Sequence, residues 1–125
     1  MIQKELKKRQ MDAVIIATPN NVHRNHVTAA AKSKVDILIE KPIAVTNKEA
    51  WDMVNVCKEH NVKLMVGCDR RYWIHNQWTK ALIEQGIIGN LLMSRSCLHE
   101  HWYNYQNHVA KTAFRLDVKV TGGAA

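Results

Sequence analysis

The sequence predicts an α/β fold, a parallel sheet with helices packed over both faces, and three observations carry that prediction. Three short runs rich in β-branched and aliphatic residues recur along the first half of the chain: Asp12-Ala13-Val14-Ile15-Ile16-Ala17-Thr18, Val35-Asp36-Ile37-Leu38-Ile39-Glu40 and Val62-Lys63-Leu64-Met65-Val66-Gly67. Near-continuous apolar runs of this length are what strands buried on two faces require. Helical patterns separate them, and a β-α-β-α-β order implies right-handed crossovers and parallel pairing. Each run ends in a polar loop containing a turn or breaker residue.

Taken in order, the polar residues 2–10 suit the end of a helix. Pro19-Asn20-Asn21 then ends the first strand, and Asn21 is placed to cap a helix from Val22 to Lys32 with Val27, Ala30 and Ala31 as its small apolar face. Pro42 stops the second strand, because it has no amide hydrogen for a ladder and drives Lys41 toward an extended backbone. Thr46-Asn47-Lys48-Glu49 reads as a capping box. It opens a helix to about His60 whose Ala50, Met53, Val54 and Cys57 form one apolar stripe. Asn61 suits the helix stop before the third strand. Beyond the charged junction Asp69-Arg70-Arg71-Tyr72, a helix over His75 to Gln85 is expected to bury Trp78, Leu82 and Ile83 and to stop at Gly86. Leu91 to Leu98 then looks like a strand. The texture changes after His99, so a boundary falls near residue 70, giving domains of 1–70 and 71–125.

Composition narrows the partners. The content is 46% hydrophobic and 23% charged, as in ordinary globular proteins. No apolar stretch approaches the roughly 20 residues of a membrane-spanning helix, so no membrane partner is expected. The basic N-terminus has no apolar segment or small-residue cleavage site behind it, which makes a cytoplasmic setting the expectation. Cys57, Cys68 and Cys97 are widely spaced and include no C-x-x-C pair, the pattern of reduced structural thiols. The net charge of +7 is spread along the chain, apart from a cluster at Lys4, Lys7, Lys8 and Arg9, with no interleaved aromatic platform. A solvated basic helix face accounts for that cluster, and no nucleic-acid partner is expected.

In an open parallel sheet, ligands bind beyond the carboxyl ends of the strands, where helix N-termini supply free amide hydrogens. The rule selects Thr18-Pro19-Asn20-Asn21-Val22-His23, Glu40-Lys41-Pro42 and Cys68-Asp69-Arg70-Arg71. These loops carry a resemblance. A-T-P-N-N-V-H, then I-E-K-P, a capping box, M-V-G-C-D-R-R-Y, and a helix ending G-I-I-G-N before a strand together resemble the Gfo/Idh/MocA oxidoreductases over residues 12 to about 97. An E-K-P tripeptide alone would be weak; the features in this order and spacing are specific.

The resemblance implies an internal fragment: the C-terminal part of a Rossmann-type domain followed by the start of an α+β substrate and oligomerisation domain. The parent would be a homo-dimer or homo-tetramer that moves a hydride between NAD or NADP and a hydroxyl of a sugar, inositol or related polyol. The family's G-x-G-x-x-G/A turn is not in the sequence, so Met1 is expected to fall past the phosphate-binding turn. Gly122-Gly123-Ala124-Ala125 looks like the start of the family's second, glycine-rich motif, which leads to an aspartate and a histidine. The isolated 125-residue chain is accordingly expected to be inactive and to bind cofactor poorly.

In the family, the lysine matching Lys41 lies beside the nicotinamide and the substrate hydroxyl, which implies a catalytic and binding role. A lysine ammonium buried beside a cationic ring can donate to, or exchange a proton with, the reacting oxygen. Thr18, Pro19 and Asn20 match the segment under the ribose and nicotinamide. Glu40 either bonds the ribose, orients Lys41 or forms a salt bridge at a strand end. His23 either faces the cofactor or serves as a cap or core histidine, and Arg70 is placed to meet the cofactor or an anionic substrate group. His99 and His101 would share one strand face and with His108 raise the question of zinc. The family uses no metal, and His99, His101 and Trp102 better suit a sugar pocket. Two readings of other classes remain: a regulatory protein that keeps the shape without catalysis, and a basic nucleic-acid binder.

Overall fold

The computed structural model describes residues 5, 6, 11–97 and 117–121. The chain divides into two compact units, Met1–Gly67 with His108–Ala125, and Cys68–Asn107.

The first unit is built on strands β1 (Ala13–Ile16), β2 (Asp36–Ile39) and β3 (Leu64–Val66), which pair in parallel in that order. The register aligns Ile16 with Ile39 and Ile39 with Val66, and Ile15 with Leu38 and Leu38 with Met65. Alternation along a strand sends these two rows to opposite faces. Helices α1 (His23–Lys32) and α2 (Asn47–Glu59) cover the Ile16–Ile39–Val66 face. There Ile16, Val27, Ala30, Ala31, Ile37, Ile39, Met53 and Cys57 form a dry core. Alanines at the helix-facing positions let α1 approach the sheet closely, as the sequence predicts.

The opposite row departs from expectation. Ile15 is 72% exposed and Met65 46% exposed, so among the described residues only one face of the sheet is covered. The strand pattern correctly signals two apolar faces, but a pattern cannot supply the element that covers the second.

Thr46 caps α2 as predicted, its hydroxyl accepting from the Glu49 amide at 3.2 Å. Replacing Thr46 with Ala is expected to cost about 1 kcal/mol of stability, measurable as a lower urea midpoint with unchanged slope. Asn21 does not cap α1. The chain enters a 3-10 turn over Asn20–Val22 one residue earlier, so Asn21 sits inside a helical turn and no side chain caps α1. Asn61 takes φ +54° at the end of α2, the left-handed stop that asparagine tolerates; Lys34 does the same after α1 at φ +58°, which nothing in its residue type signals.

A short helix α4 (Val118–Thr121) packs on the 3-10 turn Asn20–Val22. The Asn20 side-chain amide donates to the Thr121 carbonyl at 3.3 Å, a contact across about a hundred residues of sequence.

The second unit contains a 3-10 turn over Asp69–Tyr72 and helix α3 (Ile74–Glu84), which ends as predicted before Gly86 at φ +70°. Its expected buried side is not buried: Trp78 is 67% exposed and Leu82 44%. The strand predicted from Leu91 to Leu98 is irregular over residues 91–97. A strand exists only by pairing, and none of the described residues pairs with this stretch.

Candidate cofactor site

Parallel pairing places the carboxyl ends of β1, β2 and β3 along one edge of the first unit, and the loops leaving them hold most of the predicted residues. Glu40 continues β2, its amide donating to the Ile16 carbonyl at 2.9 Å. Its carboxylate then turns back on its own loop, Oε2 accepting from the Lys41 amide at 3.0 Å. Of the roles open to Glu40, orientation of the Lys41 backbone is thus the one seen in its hydrogen bonding. The Lys41-Pro42 peptide is cis. The Lys41 side chain is exposed and makes no ion pair with any described residue.

Gly67 closes the third side. Its amide donates to the Ile39 carbonyl at 2.7 Å, and a Cβ here would lie 3.3 Å from that oxygen and 3.9 Å from Glu40 Oε1. Absence of a side chain lets the end of β3 pass tightly against the start of the Glu40-Lys41 loop.

Thr18 is held from two directions. Its carbonyl faces His23 Nε2 at 2.8 Å and its hydroxyl faces His26 Nδ1 at 3.1 Å. His26 escaped the sequence reading; its position three residues after His23, on the same side of α1, was the available signal. Pro19 is exposed and Thr18 and Asn20 are half-buried, so the segment is partly accessible at the edge.

His23 has the surroundings of a core histidine, one of the alternatives its sequence left open. It is fully buried, with Nε2 2.8 Å from the Thr18 carbonyl and Nδ1 3.1 Å from the Ile43 carbonyl, so both nitrogens face backbone acceptors within the protein. Buried side-chain polar atoms all find partners among the described residues, as a packed site demands.

Cys57 lies under the sheet, and burial pushes its thiol above the ordinary cysteine value, which suits a structural thiol. Arg70 belongs to the second unit. It is exposed, with its guanidinium 5.5 Å from the Trp73 ring centroid and its carbonyl accepting from the Asn76 side chain at 2.7 Å. His99, His101, Trp102 and His108 lie outside the described residues, as do Gly122 to Ala125.

A parallel β-α-β-α-β unit with polar loops gathered at the strand ends defines one half of a Rossmann-type nucleotide-binding domain. The chain belongs to the Gfo/Idh/MocA oxidoreductase family: residues 2–68 match the family described as an oxidoreductase family with an NAD-binding Rossmann fold. It is 34% identical over 118 residues to 2,7-anhydro-N-acetylneuraminate hydratase of Escherichia coli K12, covering 94% of this chain and 31% of that protein. It is 32% identical over 109 residues to levoglucosan dehydrogenase of Pseudarthrobacter phenanthrenivorans, covering 87% of this chain and 28% of that protein. Among solved structures it is similar to the WlbA dehydrogenase of Bordetella pertussis in complex with NADH and UDP-GlcNAcA. That likeness has a TM-score of 0.64 and 30% identity, over 70% of this chain and 25% of the other. The chain therefore spans about a third or less of the length of these relatives.

The described residues at this edge fit a nucleotide cofactor. They offer an exposed cation, a backbone segment fixed at Thr18 and a close approach at Gly67.

Proposed function

We propose that the polypeptide encoded by the complete reading frame containing this sequence transfers a hydride between NAD or NADP and a secondary hydroxyl or keto group of a sugar, inositol or related polyol. The observation that carries the reading is Lys41: an exposed ammonium without an ion-pair partner among the described residues, on a loop whose backbone is fixed by Glu40, at the strand-end edge of a family-typical sheet. The nicotinamide, when bound, accepts or returns the hydride of the carbinol carbon. Lys41 donates a hydrogen bond to the reacting oxygen and stabilises its developing negative charge. Thr18, Pro19 and Asn20 line the ribose and nicotinamide through their backbone, while Glu40 holds the loop. Arg70 is assigned to the cofactor, and His99, His101 and Trp102 to the sugar, these three in a substrate and oligomerisation domain beginning near residue 71.

Support comes from relatives whose names include sugar dehydrogenases. One relative is named a hydratase, so the test follows product as well as nucleotide. Purified protein is incubated with NAD or NADP and a panel of sugars and polyols, with absorbance at the reduced-nicotinamide band and product mass recorded together. Nucleotide reduction matched by loss of two hydrogens from substrate is the expected result. A mass change of one water without net nucleotide reduction would replace the dehydrogenase reading with a hydratase one, and no nucleotide dependence at all would remove both.

A further inference from the structure

We propose that His23 is a positioning residue for Lys41, acting by tying the loop after β1 to the loop after β2. This rests on the hydride-transfer reading above. The imidazole is completely buried, and it lies between the carbonyls of Thr18 and Ile43 at 2.8 and 3.1 Å. Thr18 opens the segment assigned to the nicotinamide ribose, and Ile43 stands two residues beyond Lys41. The side chain thus spans the two loops that must hold ring and ammonium at one separation. Its acceptors are backbone atoms, so the tie acts on the course of both loops and is independent of their side chains. Each neutral tautomer donates to one carbonyl and the imidazolium to both. In either case the ring fills the gap as a wedge that interior packing cannot collapse around without moving a loop. His26, on the Thr18 hydroxyl at 3.1 Å, steadies the β1 side by a side-chain contact, whereas past the Glu40 amide the Lys41 backbone is held, among the described residues, by the Glu40 carboxylate on its amide. The Lys41 loop is therefore the one expected to shift when the tie is cut.

The test uses the complete reading-frame protein with His23→Leu, His23→Gln and Lys41→Met. Glutamine keeps two N–H donors on one nitrogen, and leucine keeps bulk alone. In His23→Leu, kcat is expected to fall about 100-fold, the scale of a 1 Å misplacement, while the KM for the alcohol changes little and unfolding stays cooperative. His23→Gln should recover most of the loss. The tie is also read without activity, from the carbonyl ¹³C shift of Ile43 observed through the Ala44 amide. It should move in His23→Leu and return toward the native value in His23→Gln. Unchanged kcat in a folded His23→Leu protein, or an unchanged Ile43 carbonyl shift, overturns the proposal. Equal damage in both His23 variants with loss of cooperative unfolding also overturns it, because the residue would then be structural only. Full activity in Lys41→Met also overturns it, because there would be no catalytic ammonium to position; if the unsubstituted protein reduces neither nucleotide, the hydride-transfer reading fails instead, and the carbonyl shift still decides whether His23 joins the two loops.

Discussion

Lys41→Met is expected to lower kcat by a factor of about 10²–10⁴, the contribution of a positioned proton donor or acceptor, while nucleotide still binds. Methionine keeps the length and apolar stem of lysine and removes only the cation, so the loss reads the ammonium. Lys41→Arg should not restore the rate, since a guanidinium stays charged and spreads its donors over a planar fork. Lys48→Met provides the comparison: Lys48 is an exposed lysine on α2 whose ammonium lies 3.4 Å from Asp52, and an exposed pair of this kind contributes little. Steady-state rates with both nucleotides, and nucleotide affinity by fluorescence titration, check the prediction. A Lys41→Met enzyme with native kcat would take the proton chemistry away from this loop.

Ile39→Ala should bring the largest loss of stability in the first unit. Ile39 is completely buried in the central strand, in register with Ile16 on one side and Val66 on the other, beneath a core that includes the equally buried Met53. Removing the side chain leaves a cavity that strands hydrogen-bonded on both edges cannot close, a cost of about 2–5 kcal/mol. That is a large part of the total stability of an ordinary domain. Ile15→Ala is the control, since Ile15 is 72% exposed and its truncation should fall within about 0.5 kcal/mol. Urea unfolding followed by far-ultraviolet circular dichroism measures both. The Ile39 carbonyl also accepts from Gly67 and its successor is Glu40, so an Ile39→Ala protein that remains folded should additionally show a weaker nucleotide interaction.

Where local chemistry dominates, the sequence was readable. The three strands, the stops at Asn61 and Gly86 and the cap at Thr46 all depend on residues within a few positions of each other, through periodicity, backbone freedom or a side chain reaching its own helix. The Glu40-Lys41-Pro42 loop was legible for the same reason, and the order of the motifs carried the family. Elements needing distant partners were not readable. Leu91 to Leu98 has strand-like residues, yet among the described residues it finds no strand to pair with. Trp78 and Leu82 form an apolar stripe that stays exposed, and the Ile15–Leu38–Met65 row looks in sequence like the covered row beside it.

By itself the sequence determined the βαβαβ order, the family and the loop that bears Lys41, because each is encoded in short-range patterns of hydrophobicity and turn chemistry. Only the tertiary structure decided where the His23 ring lies. A histidine at the start of a helix is equally compatible with facing a ligand, capping or filling a core. The choice was made when parallel pairing of β1 and β2 brought the Thr18 and Ile43 carbonyls to opposite sides of one buried ring. The same holds for Asn20, whose partner at Thr121 is set by packing of α4 on the turn after β1. Hydrogen bonds between segments far apart in the chain exist only once the sheet has fixed where their loops emerge.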